Sequence, residues 1–581
     1  MSRQRAQRSQ RVSYEWRLYV ILGVVVVLFA SLAGRILFLQ VLELEGGREF
    51  LKSQGAMRSV RTAEIPAYRG LITDRRGEPL AVSTPVISLW ADPRVLSTVT
   101  ELAPLASALG IRVDELNTRL AQYSGKRFMY LSRHHEPDSA RRILDLRTPG
   151  VHWTREYRRF YPAGEVAAQL VGFTNVDGTG IAGLELAYDD WLRGVAGRKQ
   201  YIKDLHGEAV RDIGVIQEAQ PGRPLQLSID LRLQYLLHTE LQRAMQVTGS
   251  ESGSIVTLDS RTGEVLAMVS DPAYNPNDRE ALTPGATRNR TMTDVFEPGS
   301  TMKPLTLVAA LESGEFTTET LIDTSPGRIR VGRKVLPDPS NYGEITLSRV
   351  IEKSSQVGVT KVSLALGHEP VWEVFRRFGI GETTGTGFPG ESAGQLPSRR
   401  RWSPIEQVTL AFGYGLTATP LQLARAYSVF ASGGILPQIS LLRVDEGERP
   451  GRRVISSDTA WQVLDVLHRV TGENGTARKA RVEGYAVGGK TGTVHKVGAG
   501  GYLQDQYIAL FAGVAPIDEP RFVTVVVLDR PKGDNYGGGA AAAPVFARVA
   551  SGVLRLLDVA PSQLPAMPPA QDVAAVERVT P

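Results

Sequence analysis

The chain contains a single Ser-x-x-Lys sequence, which begins at Ser300 and ends at Lys303. Side chains three residues apart lie on the same face of a helix, so Lys303 is expected to contact Ser300. A serine hydroxyl is a weak nucleophile until a base removes its proton, and lysine becomes such a base when burial or a neighbouring cation lowers its pKa. The spacing therefore predicts a serine that attacks a carbonyl carbon.

The residues around Ser300 indicate which element holds it. Residues 297–299, Glu-Pro-Gly, are typical of a turn, and the mostly apolar residues 305–311 are typical of a buried helix. Ser300 is therefore expected at a helix N-terminus, where backbone amides favour developing negative charge. A capping serine beside an exposed lysine is the alternative, because so short a match also arises by chance.

Two further groups of residues strengthen the prediction of an acyl-transfer site. Ser354 belongs to a serine pair that lies between Ser300 and a Lys-Thr-Gly-Thr sequence at residues 490–493. Residues 485–489 predict the entry to a strand, and residues 506–513 predict the next strand. The edge of such a strand can pair with an extended peptide.

Each residue of the Lys-Thr-Gly-Thr sequence has an expected role in binding that peptide. Gly492 lets a substrate backbone come close because it has no side chain. The amide of Thr493 can contribute to an oxyanion hole, and Lys490 and Thr491 can donate to a carboxylate. An ordinary hairpin with a basic residue is the alternative for this sequence alone, but the ordered set of three motifs is much rarer.

The three motifs together resemble those of the penicillin-recognising serine acyltransferases, in which Ser-x-x-Lys, Ser-x-Asn and Lys-Ser/Thr-Gly follow in this order. The resemblance is to class B penicillin-binding proteins, above all to the division-specific type of Gram-negative bacteria, and it covers residues 16–560. Further segments that carry it are residues 69–75, 160–165, 288–290, 294–300, 388–391 and 412–416.

One residue departs from the family pattern, because Ser354-Ser355-Gln356 stands where the family has Ser-x-Asn. In the family the serine of this motif bridges two lysines in a proton relay, and the asparagine contacts the substrate amide. The resemblance therefore implies that Ser354 joins Lys303 to Lys490, and that Gln356 binds substrate. Glutamine is longer by one methylene and must fold back or displace the ligand by about one bond length, so a tuned or narrowed activity is expected.

The resemblance implies D,D-transpeptidation of peptidoglycan stem peptides, carried by glycan derived from lipid II, during septal cell-wall synthesis. Ser300 would attack the penultimate D-Ala while Lys303 accepts its proton, and Ser354 and Lys490 would pass a proton to the leaving D-Ala. The amides of Ser300 and Thr493 would hold the oxyanion. β-Lactams would acylate the serine and act as inhibitors, and no metal or organic cofactor is implied.

Aromatic and histidine side chains give weaker indications of binding sites. Tyr507 and Tyr536 are expected to line the cleft as aromatic walls, with ordinary core packing as the alternative. The histidines, among them His134, His135 and His495, lack metal-ligand spacing. No metal site is predicted.

The N-terminus predicts a membrane anchor over residues 18–42. Residues 18–34 carry no charge, and residues 36–42 continue the apolar run after Arg35. Under the positive-inside rule the basic residues 1–17 stay in the cytoplasm, so the rest of the chain would be periplasmic and anchored in the inner membrane. A cleavable signal peptide is the alternative, but the run is long and no small-x-small site follows it directly.

Composition agrees with an exported enzyme of several domains. The chain has 581 residues, no cysteine and a formal net charge of +6. The absence of cysteine excludes disulfides, thiol catalysis and cysteine-ligated metals. The modest charge lies partly in the basic tail and forms no stripe, so it favours wall or membrane surfaces and gives no indication of nucleic acid binding.

The expected fold class is α/β, with one transmembrane helix, an extended mainly-β or α+β pedestal over residues 44–219 and a penicillin-binding transpeptidase domain over residues 225–560. Its sheet is expected to be flanked by helices. A hairpin is predicted with its turn at residues 261–263, and a buried strand is predicted over residues 522–528. Residues 561–581, rich in proline and alanine, are expected to be a flexible tail.

Several alternatives remain open at the level of sequence. A penicillin sensor would need further membrane spans and a signalling domain, and a class A synthase would need a glycosyltransferase domain after the anchor. An elongation-type class B enzyme would share the same motifs, and a division scaffold would have lost activity through Gln356. The favoured interpretation implies a membrane glycosyltransferase of the FtsW type and other divisome proteins as partners.

Overall fold

The computed structural model describes residues 15–40, 60–203, 209–278, 280, 282–283, 285–445, 447, 451–498 and 500–562. Contacts within the chain divide it into two compact units. The first unit contains the residues up to Ala67 together with Val195–Gln220. The second contains Tyr68–Gly194 and the residues from Pro221 onward.

The first unit begins with an apolar helix, α1 (Glu15–Gln40). Its segment Glu15–Leu37 has a mean hydropathy of 2.5 and exposes its apolar side chains. A helix of this length and composition is suited to crossing a membrane. The predicted anchor over residues 18–42 coincides with α1 as far as Gln40, and residues 41 and 42 lie outside the described part of the chain.

Three antiparallel strands form the sheet of the first unit. In spatial order they are β1 (Val60–Ile65), β6 (Gly197–Lys203) and β7 (Ala209–Gln217). The middle strand pairs with β1 in regular register and with β7 through several register shifts. Such shifts bend a strand and increase its twist, so this sheet is an irregular ribbon.

The N-terminal part of the second unit is built on one long strand, β3 (Pro79–Ala91). It pairs with β2 (Ile72–Thr73), β4 (Met129–His135) and β5 (Val151–Phe160), and β2 pairs in parallel with β8 (Leu225–Gln226). The short helices of this part are α2 (Pro93–Leu96), α3 (Ala103–Leu109), α4 (Val113–Gln122), α5 (Pro137–Leu144), α6 (Ala168–Val171), α7 (Gly183–Ala187) and α8 (Asp189–Leu192).

A buried ion cluster holds the loops of this part together. Glu185 is fully buried and accepts hydrogen bonds from Arg69 Nε at 2.5 Å and from Arg159 Nε at 2.7 Å. Arg69 Nη1 also donates to Asp189 Oδ1 at 2.7 Å. A charge excluded from water is tolerated only when it is paired and hydrogen-bonded, so removing one partner leaves the others uncompensated.

The larger part of the second unit contains a five-stranded antiparallel sheet. Its spatial order is β10 (Val265–Asp271), β9 (Ser252–Asp259), β19 (Phe522–Asp529), β18 (Gly501–Ala515) and β17 (Gly488–Gly498). Nearly every residue of β9, β10 and β19 is buried, so both faces of the sheet are covered. Coverage of both faces explains why these strands are continuous apolar runs.

Smaller ladders and helices surround this sheet. The ladders pair β11 (Leu321–Asp323) with β14 (Glu344–Thr346), β12 (Arg328–Val331) with β13 (Lys334–Pro337) and β15 (Ile435–Pro437) with β16 (Gly451–Arg453). The helices are α9 (Leu231–Thr248), α10 (Arg290–Thr293), α11 (Lys303–Glu312), α12 (Leu347–Glu352), α13 (Gln356–Leu366), α14 (His368–Arg377), α15 (Pro404–Ala411), α16 (Pro420–Ala431), α17 (Ser457–Thr471), α18 (Gly538–Ala541) and α19 (Ala543–Leu556).

The main elements predicted from sequence are present. The hairpin with its turn at residues 261–263 joins β9 to β10, and the strand predicted over residues 522–528 is β19. The two strands predicted around the Lys-Thr-Gly-Thr sequence are β17 and β18, which pair in antiparallel fashion. The α/β class, the N-terminal apolar helix and the helix-flanked sheet of the predicted fold are confirmed.

We predict that Glu185→Gln destabilises the folded chain by about 3–5 kcal/mol, because it removes the buried carboxylate shared by Arg69 and Arg159. Among the described residues, Arg69 then keeps only Asp189 as a countercharge and Arg159 keeps none. The control is Asp138→Asn, which breaks the exposed pair with Arg141 at 3.3 Å and should change stability by no more than about 0.5 kcal/mol. Urea unfolding of the full-length chain in detergent micelles measures both. Equal shifts for the two variants would contradict a structural role for the cluster.

Candidate active site

The candidate nucleophile lies in a tight turn. Ser300 is half-buried within a 3₁₀ turn, Gly299–Met302, and α11 begins immediately after this turn. The sequence predicted a helix N-terminus at Ser300, whereas the α-helix starts three residues later. Proline at the second position of α11 suits the first helical turn, and the tighter turn before it carries the serine.

Close backbone packing holds this turn in place. Gly299 has φ of +55°, and a Cβ at this residue would lie 2.3 Å from Val494 Cγ1. Its amide donates to the carbonyl of Gly413 at 3.0 Å, and a Cβ at Gly413 would lie 2.2 Å from the Gly299 carbonyl oxygen. Only glycine fits at either position, so the two glycines lock the turn that presents Ser300.

Buried hydrogen bonds fix the helix behind the nucleophile. The hydroxyl of Tyr427 donates to the carbonyl of Thr301 at 2.8 Å, and Thr306 Oγ1 donates to the carbonyl of Ala411 at 2.6 Å. Residues Lys303 to Ala310 of α11 are all buried. A helix buried on every side has little freedom to move, so the residues it carries are held rigidly.

Two fully buried lysines converge on one serine hydroxyl. Lys303 Nζ donates to Ser354 Oγ at 3.1 Å and to the Ser354 carbonyl at 2.6 Å. Lys490 Nζ donates to the same Ser354 Oγ at 3.0 Å. Since a hydroxyl accepts at most two hydrogen bonds, the Ser354 proton is left to point away from both lysines. The structure thus brings Lys303, Ser354 and Lys490 together, and their roles in catalysis stay a prediction.

Burial changes the protonation of both lysines. It lowers the pKa of Lys303 to about 7, an effect that the nearby carboxylate of Asp338 partly opposes. Burial also lowers the pKa of Lys490 well below its ordinary value, and the positive charge of Lys303 adds to this. An ammonium group loses its hydration when it is excluded from water, so the neutral amine becomes accessible near neutral pH.

The sequence predicted a direct contact between Lys303 and Ser300, but the side chain of Lys303 is directed to a different serine. No hydrogen bond joins these two side chains in the described structure, and the donors of Lys303 point to Ser354. A neutral amine that donates both of its hydrogens to Ser354 keeps one lone pair free. That lone pair is available to a proton from Ser300, and catalytic hydrogen bonds often tighten only when substrate is bound.

Asp338 is a site residue that the sequence did not reveal. It lies just after β13, and its carboxylate accepts from Ser355 Oγ at 2.5 Å, from the amide of Gln356 at 2.5 Å and from the amide of Val357 at 3.1 Å. These contacts cap the N-terminus of α13. The neighbouring Ser354 adopts φ of +57°, which a serine rarely does, so Asp338 stabilises the unusual backbone that carries the bridging hydroxyl.

Gln356 is the first residue of α13, and its side chain is half-buried. Its backbone amide is held by Asp338, while no hydrogen bond of its side-chain amide is found among the described residues. Within the described structure, binding of a ligand by this side chain would therefore break no existing hydrogen bond. Its role in binding substrate stays a prediction.

Strand β17 forms one edge of the large sheet, at the end of the order given above. A Cβ at Gly492 would lie 2.7 Å from Leu510 Cγ, so the glycine is required for packing against β18 as well as for any approach of substrate. Thr491 is buried and hydrogen-bonds Thr476 at 3.4 Å, whereas Thr493 is exposed and accepts from the amide of Gly538 at 2.9 Å.

Aromatic rings lie beside this edge strand. The ring of Tyr507 stacks on that of Tyr536 with centroids 4.2 Å apart, and it lies 4.6 Å from the ring of His495. His495 pairs with Tyr507 across β17 and β18 and is two residues from Thr493. The two tyrosines therefore form a wall next to the strand that carries the Lys-Thr-Gly-Thr sequence, and their contact with substrate stays a prediction.

The described residues contain no group of three His, Asp or Glu side chains that could hold a metal ion. The arrangement instead offers a serine nucleophile, a lysine poised to accept its proton, a serine that links two amines and a free strand edge. Such a set can form and transfer an acyl group.

Comparisons with known proteins agree with this chemistry. The family model described as penicillin-binding protein transpeptidase domain matches residues 253–551, and the model described as penicillin-binding protein dimerisation domain matches residues 64–227. The second match covers the region in which a class A synthase would carry a glycosyltransferase domain.

The chain is also similar to curated proteins and solved structures over most of its length. It is 43% identical to peptidoglycan D,D-transpeptidase FtsI of Escherichia coli, covering 94% of this chain and 93% of that protein. It is 40% identical to the probable peptidoglycan D,D-transpeptidase PbpC of Pseudomonas aeruginosa, with coverage of 97% and 99%. Penicillin-binding protein 3 of Mycobacterium tuberculosis in complex with aztreonam superposes with a TM-score of 0.67 at 29% identity, covering 87% of this chain and 100% of that one.

We predict that Asp338→Asn slows labelling of Ser300 by an activated acyl ester about ten- to hundredfold, because a loosened Ser354 turn misplaces the bridging hydroxyl. Loss of the carboxylate should also move the midpoint of the pH–rate profile to lower pH, since that carboxylate raises the pKa of Lys303. Mass spectrometry of the full-length chain follows the label.

The matched control is Asp323→Asn, a carboxylate that accepts from the amide of Ser325 outside the site. It should leave both the rate and the midpoint unchanged. A slower rate in Asp338→Asn with an unshifted midpoint would show a general loss of structure and would contradict the electrostatic part of the account.

Proposed function

Because the chain belongs to the class B penicillin-binding proteins, which join a dimerisation domain to a transpeptidase domain, we propose that it cross-links peptidoglycan stem peptides during septal cell-wall synthesis. The observation that carries this proposal is the Ser354 hydroxyl held between two buried lysines, one of which, Lys303, directly follows the Ser300 turn. The similarity to FtsI of Escherichia coli supports the division-specific assignment.

The positions of Lys303, Ser354 and Lys490 support the following reaction. Ser300 Oγ attacks the carbonyl carbon of the penultimate D-Ala, and its proton passes to the free lone pair of Lys303. The oxyanion is held by the amides of Ser300 and Thr493. The C–N bond to the terminal D-Ala then breaks, and the leaving amine takes a proton delivered through Ser354 from the lysine pair.

The second half of the reaction reverses these roles. The acyl-enzyme is an ester of Ser300, and an amine from a neighbouring stem peptide attacks it. A new amide forms, the amine loses one proton to the lysine pair, and Ser300 regains its own. The neutral form of Lys303 is needed first, which is why its lowered pKa is central to the cycle.

Substrate binding is assigned to the edge of β17. An extended stem peptide adds to this edge, with Thr491 and Lys490 near its terminal carboxylate and Gln356 reaching its amide. Tyr507 and Tyr536 form one wall of the cleft. β-Lactams act as inhibitors by acylating Ser300, a proposal supported by the relative that was solved with aztreonam.

The remaining segments determine where the protein lies in the cell and which partners it binds. Residues 1–17 lie in the cytoplasm, residues 18–42 anchor the chain in the inner membrane, and the rest is periplasmic. Residues 44–219 form the pedestal that binds divisome proteins, among them a glycosyltransferase of the FtsW type, and residues 225–560 form the transpeptidase domain. Residues 561–581 form a tail, of which 563–581 lie outside the described part of the chain.

We predict that benzylpenicillin forms one covalent adduct with the full-length chain and none with Ser300→Ala. Intact-mass spectrometry measures both. Restoring the family residue in Gln356→Asn should change the acylation rate without changing the site of the adduct, because in the described part of the chain the backbone amide of Gln356 is hydrogen-bonded and its side chain is not. A folded parent chain that forms no adduct would favour the division scaffold over the enzyme.

We predict that the acylation rate rises about tenfold per pH unit below the pKa of Lys303 and levels off above it, since only the neutral amine accepts the proton. The turning point should lie near the lowered pKa of about 7. Stopped-flow acylation with a chromogenic cephalosporin between pH 5.5 and 9 measures the profile. A rate that is flat, or that rises only near the ordinary lysine pKa, would contradict this role of Lys303.

A further inference from the structure

A cavity lies in the larger part of the second unit, and none of the residues assigned above to catalysis or substrate binding lines it. Its volume is about 560 Å³. Three cations line it, namely Arg288, Arg290 and Lys496, together with the carboxylates of Asp294 and Asp529. A volume of this size is within the range of small-molecule sites, about 300–1,000 Å³.

In the described part of the chain, some of the charged side chains that line this cavity have polar atoms without a hydrogen-bond partner. Lys496 binds Asp529 Oδ2 at 2.5 Å, and Arg288 binds Asp294. Arg290 Nη1 donates to the carbonyl of Gly285 at 3.1 Å, but its Nε lies 3.9 Å from Asp294, beyond hydrogen-bond distance. Within the described structure, Arg290 Nε and Asp529 Oδ1 are buried without a hydrogen-bond partner.

The side chains that line the cavity define what a ligand must offer. Arg290 carries donors and calls for an acceptor, whereas Asp529 carries acceptors and calls for a donor. Three cations and two carboxylates leave one positive charge, which suits a monoanion better than a phosphate with its charge of about −1.5 to −2. Arginine forms strong charge-assisted hydrogen bonds with a carboxylate, often two in parallel.

The walls of the cavity are apolar. Phe296, Pro420, Ile508 and Val527 line it beside the charged groups. A ligand that fits therefore combines one carboxylate, one nearby N–H and a small apolar body. The free C-terminus of a peptide has all three, because the amide of its last residue lies next to the carboxylate.

We propose that this cavity binds the carboxyl end of a short peptide, at a site separate from the acylated serine. Binding does not require Ser300 to react, so the inference goes beyond the proposed function. It rests on that function only for the natural source of the ligand, the stem peptides, which end in a free carboxylate.

The cavity is connected to the nucleophile through the backbone. Phe296 hydrogen-bonds Ala418 in both directions, at 3.1 and 3.0 Å, and the chain then runs directly into the Gly299 turn. Ile508 pairs with Val494, whose side chain packs on Gly299. A peptide in the cavity thus contacts both segments that position Ser300.

Binding to the full-length chain in detergent micelles tests this inference. The probes are a fluorescent peptide ending in D-Ala-D-Ala and the same peptide ending in an amide. The Ser300 site is blocked with benzylpenicillin, and Ser300→Ala is measured alongside. The blocked chain should still bind one equivalent of the acid, and the amide should bind at least about tenfold more weakly, since it lacks the charge.

Variants of the cavity decide where the peptide binds. Arg290→Gln and Lys496→Gln should each weaken binding of the acid at least about tenfold, because each removes a cation. Lys199→Gln is the control, since Lys199 pairs with Asp212 at 3.2 Å in the first unit. It should leave the affinity unchanged.

Any of three results would overturn the inference. They are the absence of saturable binding to the blocked chain, equal binding of acid and amide, and an unchanged affinity in Lys496→Gln. Should Arg290→Gln fail to fold, Lys496→Gln alone decides, because its side chain is partly exposed. Absence of a penicillin adduct would overturn the proposed function, while peptide binding to Ser300→Ala would still test the cavity.

Discussion

The exclusion of two lysine side chains from water is the constraint on which the site depends. Lys303 and Lys490 are fully buried and share one hydroxyl acceptor, Ser354. Two ammonium groups in this position would repel each other and lose their hydration, so the fold favours neutral amines. The same burial that costs stability therefore creates the base that a serine nucleophile needs. Functional sites commonly carry such a cost, which the rest of the domain must offset.

The surrounding elements are arranged to keep this pair in place. Helix α11 is buried from Lys303 to Ala310 and carries Lys303, while edge strand β17 carries Lys490. Asp338 holds the turn between them and, through its charge, limits how far the pKa of Lys303 falls. Acyl transfer to a peptide requires catalytic groups that are fixed before the substrate arrives, next to a strand edge that is open to the peptide.

Local pattern was sufficient for some of these features and insufficient for others. The buried helix that follows Ser300, the strands around the Lys-Thr-Gly-Thr sequence and the apolar N-terminal helix all follow from spacing or periodicity within a short window. Asp338 could not be found in this way, because it acts on residues 17 to 19 positions away through a turn that has no sequence signature. The 3₁₀ turn at Ser300 was also missed, since its geometry depends on the contact of Gly299 with Gly413, far along the chain.

The measurement that bears most directly on this account is an NMR titration of the lysine side chains in the full-length chain, labelled with ¹³C at Cε. The Lys303 signal is identified by its loss in Lys303→Met. We expect this signal to titrate near pH 7, because burial lowers the pKa of Lys303 to about 7. A midpoint close to the ordinary lysine value of 10.5 would show that Lys303 stays protonated at neutral pH, and would contradict its role as the proton acceptor for Ser300.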